Sequence, residues 1–424
     1  MKILLLNTDD FTGGAAIACR RLLKALKLTN VNAKMLVLES KNKESSIYQL
    51  NNNWFTTKMA WLRFVAERIY FLFYEKSKEI RFLFNPGKFG LDLTKNQLFK
   101  EANILHLHWI NFGFLSINSI KKLGSINKPM VWTLHDMWAF TGGCHHSGVC
   151  ENYQKSCGNC TEFLKTPAEN DLSNKIWQQK QMAFSNLNLT IVTCSEWLGN
   201  RAKKSSLLKN FRIITIPNPI NTSTFKPIDK EISKTALCLN PNKKYILFVA
   251  MNINAEGKGY FYFKKAIQEF TKLNSSFATQ YELLIMGKAA QNDFNDLPLK
   301  VNFLGQLSEQ QAIIDTYNAA EVFVIPSLAE NLPNTIMEAM ACGVPVVGFE
   351  VGGIPEMIDH QKTGYLAKLK SSSDLAEGIN YVLNISDYQS LCDFSRNKVL
   401  KFYAEEIVAK QYTTLYESLI KPGK

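Results

Sequence analysis

The chain has 424 residues, 46% of them apolar, which suits two or three globular domains and excludes a largely disordered or low-complexity protein. Its formal charge is +12, and residues 1–130 hold 20 Lys/Arg against 9 Asp/Glu while the remainder balances 29 against 28. The basic excess in the first third points to an anionic partner; no nucleic-acid-reading module is visible, so no nucleic acid is expected and an anionic membrane surface stays open.

Residues 1–7 form an apolar run too short for a signal h-region and read as a buried first strand, so a cytoplasmic location is expected, with the nine cysteines mostly reduced. A turn containing Gly13 and Gly14 follows, then helical spacing over 15–28. Residues 54–84 interleave Trp54, Phe55, Trp61, Phe64, Tyr70, Phe71, Phe73, Phe82 and Phe84 with Lys58, Arg63, Arg68, Lys76, Lys78 and Arg81. No uncharged run there reaches the ~20 residues of a membrane span, so the pattern predicts an amphipathic helical excursion, either lying in lipid headgroups at the inner membrane face or packed on its own domain with its charges wet.

Further strands are predicted at 33–38, 104–108, 130–134, 189–194 and 213–216, alternating with helices as a parallel sheet requires. The prolines of 216–227 break both periods and read as a linker. A second set of short apolar runs, 245–250, 281–286, 301–304, 322–325 and 344–348, predicts another parallel sheet, and 395–419 a final helix. The domains expected are therefore 1–216, including the 54–84 excursion and a Cys-rich loop at 144–160, then 222–394, then a helical tail over 395–424.

Residues 330–338 read Glu-Asn-Leu-Pro-Asn-Thr-Ile-Met-Glu and follow a predicted strand. With a helix opening at Pro333 or Asn334, Glu330 lies in the loop ahead and Glu338 about one turn inside. Helix N-termini favour phosphate and carboxylates accept hydroxyls, so a ligand bearing both, such as a sugar nucleotide, suits this junction. Lys258 supplies one cation in the loop after another strand, and His135 ends a strand where an imidazole can reach a ligand. The turn at Gly13 and Gly14 lets a backbone approach a ligand but lacks the G-x-G-x-x-G fingerprint of dinucleotide binding. Cys144, Cys150, Cys157 and Cys160, with His145 and His146 beside the first, offer four soft ligands for a structural zinc; free thiols or a redox pair are the alternative.

The 330–338 block, with Pro326-Ser327 before it and Gly352-Gly-Ile-Pro-Glu356 after it, resembles the donor site of retaining GT-B glycosyltransferases of family 4, over residues 1–367, with the nearest likeness to bacterial capsule, exopolysaccharide and lipopolysaccharide enzymes. The resemblance implies two doubly wound Rossmann-like domains facing across a cleft, with the final helix crossing back to the first. It implies hexosyl transfer from a UDP- or GDP-sugar to a glycan acceptor, for which a lipid-linked glycan is expected. By the same resemblance Gly13 and Gly14 lie beside the donor diphosphate and the acceptor, His135 touches the donor sugar, Glu330 binds its hydroxyls and Glu338 the ribose. Lys258 and the amides of Asn331 and Leu332 neutralise the leaving diphosphate, and no catalytic metal is expected. The chain departs from the family pattern in having no arginine near Lys258. A sugar-nucleotide epimerase, or a non-catalytic membrane-associated scaffold in polysaccharide assembly, are the alternative readings.

Overall fold

The computed structural model describes residues 1–273 and 277–420, in two compact units: 1–218 together with Val408 onward, and Pro219–Ile407. Unit 1 is built on β1 (Lys2–Leu6), β2 (Asn32–Val37), β3 (Ile47–Gln49), β4 (Ile104–Leu107), β5 (Met130–Leu134), β6 (Leu189–Thr193) and β7 (Arg212–Thr215). These strands form one parallel sheet in the order β3-β2-β1-β4-β5-β6-β7. The central strands are buried along their whole length, as expected where helices cover both faces.

Unit 2 carries β8 (Lys244–Asn252), β9 (Tyr281–Lys288), β10 (Val301–Gly305), β11 (Val322–Ile325), β12 (Val346–Phe349) and β13 (Gly364–Ala367), all parallel, in the order β10-β9-β8-β11-β12-β13. The strand order reverses at β1/β4 in unit 1 and at β8/β11 in unit 2. In open α/β sheets the carboxyl ends of such a pair leave a crevice where ligands bind, because the following loops diverge to opposite faces.

Two edge strands, β3 and β13, lie outside the strands expected from the sequence. The predicted final helix over 395–419 is also corrected: it is two helices, Tyr388–Phe402 and Glu405–Ile420. Ile220 breaks it, donating its N–H to Tyr403 O at 2.8 Å and accepting the Glu405 N–H at 3.1 Å. Residues up to Ile407 stay with unit 2, whereas Val408, Tyr412, Leu415 and Tyr416 pack in the unit 1 core with Ile3, Leu5 and Leu22.

The excursion is the helix Trp54–Leu72, opened by a capping box in which Asn53 accepts the Thr56 N–H at 2.9 Å and Thr56 Oγ1 the Asn53 N–H at 3.3 Å. Its burial is inverted. Glu67 is fully buried and accepts the N–H groups of Lys88 and Phe89, and buried Arg68 donates to Arg81 O at 2.6 Å and Phe84 O at 3.3 Å. Trp54 is 73% exposed, Trp61 59% and Phe73 65%. The sequence alternative of a wet charged face over an apolar underside is thereby corrected for the core of the helix: a charged pair points in and an aromatic row points out. Among the described residues no helix is long and apolar enough to cross a membrane.

Candidate functional site

The carboxyl ends of β8 and β11 hold the residues read from the sequence. After β8 a short turn, Glu256–Lys258, ends at Gly259, whose φ is +69° and where a Cβ would fall 1.8 Å from Pro326 O; only glycine lets this loop close on the one after β11. Leu328 N–H reaches Gly257 O at 2.9 Å, which fixes that closure. A second glycine does the same from the β12 side: Gly352, φ +61°, would place a Cβ 1.8 Å from Glu330 O, and Gly353 N–H donates to that oxygen at 3.1 Å.

Glu330 is thus held from both sides, and its Oε1 accepts from Lys258 Nζ at 2.6 Å. With the lysine side chain 40% exposed, the pair is worth at most about 1 kcal/mol, so an incoming anion can replace the carboxylate as the lysine's partner at little expense. Asn331 and Leu332 are buried between this pair and the helix Asn334–Ala341. Pro333 sits at the N-cap and no side chain caps the first turn. Glu338, 8% exposed, lies more than one turn inside and accepts from Tyr317 Oη at 2.8 Å. This hydrogen bond crosses from the helix Gln310–Asn318, and no spacing in the sequence signals it.

The other candidates lie in unit 1. Gly13 opens the helix Gly13–Lys27 after β1, with Gly14 next, and a side chain at Gly13 would meet nothing within 4 Å, so the surface over that turn is open. His135, beyond β5, is tied into a network: its Nε2 lies 3.0 Å from His108 Nδ1 and its Nδ1 3.7 Å from Cys194 Sγ. Burial lowers its pKa to about 4 and that of His106 to about 3, so both rings are neutral at pH 7. The sequence reading had no role for His106; its Nδ1 meets Tyr416 Oη at 2.6 Å and its Nε2 meets Thr133 Oγ1 at 2.7 Å, inside the core.

Asp136 follows His135 and receives three donors: Trp138 N–H on Oδ1 at 2.8 Å, Trp109 Nε1–H at 3.0 Å and His145 Nδ1 at 2.7 Å, both on Oδ2. Burial alone would raise its pKa, but the His145 ring and these hydrogen bonds bring it down to about 2. This dyad escaped the sequence reading, which took His145 as a spare metal ligand. Nearby, Lys180 is fully buried, donates to Trp138 O and Thr141 O, and stands 3.7 Å over the Trp138 ring; burial lowers its pKa to about 7.

At Cys144, Cys150, Cys157 and Cys160, where the sequence leads to an expectation of zinc, the side chains stand apart as separate thiols. Among the described residues no three His, Cys, Asp or Glu side chains gather as metal ligands would, and the four thiols are free. Burial pushes the Cys157 thiol up to about 12 and the Cys160 thiol up to about 11. Cys157 Sγ instead accepts the Gly142 N–H at 3.1 Å, bracing the loop.

Residues 243–384 match the family model of group 1 glycosyl transferases. Among curated proteins, the N-acetyl-alpha-D-glucosaminyl L-malate synthase of Bacillus anthracis is 30% identical over 30% of this chain and 32% of its own length. The N,N'-diacetylbacillosaminyl-diphospho-undecaprenol alpha-1,3-N-acetylgalactosaminyltransferase of Campylobacter jejuni is 28% identical over 50% of this chain and 56% of its own. The chain thus spans about a third to a half of these two relatives. The solved structure of Anabaena Alr3699/HepE in complex with UDP and glucose superposes with TM-score 0.63 at 15% identity, covering 99% of this chain and 100% of that one, a likeness of fold. The likeness to group 1 glycosyl transferases thus lies in residues 243–384, and the fold around it is two parallel-sheet Rossmann-like units of GT-B type.

Proposed function

We propose that the protein is a retaining glycosyltransferase that moves a hexosyl group from a nucleotide sugar to a lipid-linked glycan acceptor in cell-surface polysaccharide biosynthesis. The observation that carries this reading is the exposed Lys258–Glu330 pair at the β8/β11 crevice, beside an uncapped helix N-terminus and inside the matched domain. A donor diphosphate takes the Lys258 ammonium from Glu330, and the freed carboxylate turns to the sugar hydroxyls. Lys258, the Asn331 and Leu332 amides and the helix dipole stabilise the charge that grows on the leaving diphosphate, while Glu338, steadied by Tyr317, binds the ribose. UDP is the favoured base, because the superposed Anabaena protein holds it; a GDP-sugar is the other donor to test. The Campylobacter relative, named for a diphospho-undecaprenol acceptor, supports the lipid-linked one.

The outward aromatic row of Trp54–Leu72, flanked by Lys58, Lys76 and Lys78, supports docking at an anionic membrane face, since apolar rings and cations together suit headgroups. The test is calorimetric titration with UDP-glucose and GDP-mannose, in wild type and Glu338→Ala. Binding of one nucleotide family that weakens at least tenfold in the variant supports the reading; absence of any nucleotide-sugar binding overturns it.

A further inference from the structure

The carboxyl ends of β4 and β5 enclose a pocket of about 10 Å³ in unit 1, walled by His108, Asn111, Trp132 and His135 among others. That is room for one water molecule and no more. Two of the lining side chains, each 3% exposed, carry an atom without a hydrogen-bond partner: His108 Nε2 and Asn111 Oδ1. Buried polar atoms are nearly always paired, so two of them on one water-sized space point to what occupies it.

The direction of the neighbouring hydrogen bonds tells what each atom needs. Burial raises the Cys194 pKa, so the thiol keeps its proton, and Sγ donates it to Asn218 Oδ1 at 3.1 Å. The sulfur then faces His135 Nδ1, 3.7 Å away, as an acceptor, which puts the ring proton of His135 on Nδ1. Burial lowers the His135 pKa to about 4, so the ring carries that one proton only and its Nε2 accepts from His108 Nδ1 at 3.0 Å. His108, whose pKa burial also lowers, commits its own proton to that bond, and its Nε2 is left a bare acceptor. Asn111 Oδ1 is a second acceptor. Two acceptors cannot satisfy each other, but a water brings two protons.

We propose that one water molecule is bound between His108 and Asn111, donating a proton to each, and that the pair and its water position His135 by holding its ring in the Nδ1–H form. Donation then runs one way, from the water through His108, His135 and Cys194 to Asn218, across the loops that follow β4, β5, β6 and β7. Hydrogen bonds aligned head to tail polarise one another, so this relay stiffens the carboxyl edge of the unit 1 sheet. That His135 faces a donor sugar rests on the transferase reading; the water and the tautomer do not.

The test uses the whole chain: a crystal structure fine enough to show ordered water, and long-range proton–nitrogen NMR of histidine-labelled protein, which reads the ring protons that density does not show. One water peak is expected within ~3.2 Å of both His108 Nε2 and Asn111 Oδ1, with His108 and His135 each protonated on Nδ1 alone. No peak there, or His135 protonated on Nε2, overturns the assignment. In Asn111→Leu, which accepts nothing, the peak is lost. Affinity for UDP-glucose or GDP-mannose, whichever wild type binds, falls severalfold in that variant, while affinity for UDP or GDP stays within twofold, because only the sugar meets His135. Equal loss for sugar nucleotide and bare nucleotide, or no loss for either, overturns the positioning role. If the variant does not fold, the wild-type density and tautomers decide by themselves. A wild type that shows the water and both tautomers but binds no nucleotide sugar supports the water site while overturning the transferase reading.

Discussion

The crevice at the end of β8 and β11 and the pocket at the end of β4 and β5 occupy equivalent places in their sheets, yet they are polar in opposite ways. In unit 2 the charges are ionised, paired across loops and partly wet: Lys258 with Glu330, held by two glycine contacts. In unit 1 His106 and His135 are neutral, and polarity appears as unpaired atoms around the half-buried Asp136 carboxylate. A wet ion pair can be exchanged for a ligand's charge with little stability at stake, whereas a dry network is stiff and sensitive to protonation. The first arrangement suits an anionic ligand that must come and go, and the second a rigid wall.

The contrast breaks most visibly at Glu330. Glu330→Ala is expected to lower kcat/KM for transfer by roughly 100- to 1,000-fold, about 3–4 kcal/mol, with melting temperature nearly unchanged; a loss under threefold would remove the unit 2 corner from the reaction. In unit 1 the order of effects reverses. Lys180→Met strips two buried carbonyls, Trp138 O and Thr141 O, of their donor and should cost about 1–3 kcal/mol in the unit 1 unfolding transition, measured by denaturant titration.

Acid sharpens the same distinction. His106 and His135 titrate near 3 and 4 in the fold against 6.5 in the unfolded chain, so the unfolded state takes protons first. Their contribution is intact above pH 6.5 and is lost as the pH falls from 6.5 toward 4. The unit 1 denaturant midpoint should therefore drop between pH 7.5 and pH 5; a midpoint that stays level would mean the rings are solvated. The smallest effect belongs to Lys258→Ala, whose stability change should stay below about 1 kcal/mol while binding of the nucleoside diphosphate weakens severalfold.

How much of this was legible in the chain follows from sequence distance. Glu330, Asn331, Leu332 and Glu338 lie in one strand-to-helix junction, where spacing alone places them. Lys258 is 72 residues from Glu330, but both follow consecutive-looking apolar runs, and the family resemblance joined them. The His106–Tyr416 bond spans 310 residues and leaves no local trace. The Asp136–His145 dyad was hidden differently: His145 stands beside Cys144, and the cysteines drew the eye to metal chemistry. The composition of 54–84 announced an unusual surface, but which face is buried depends on Glu67 meeting the Lys88 and Phe89 amides, a contact made 21 and 22 residues away. Residue Ile220, reading as mere linker, cuts the terminal helix in two by backbone pairing that no side-chain pattern encodes.

That cut decides how the molecule can be made. Tyr412 and Tyr416 close the unit 1 core over Thr133 and His106, yet a ribosome delivers them only after the whole of 219–407 has been synthesised. Throughout that interval the first sheet stands with an open face, while the unit encoded in the middle of the chain has everything it needs. The order of completion is therefore the reverse of the order of synthesis, and a stop codon a few residues before Val408 would spare the later domain and ruin the earlier one.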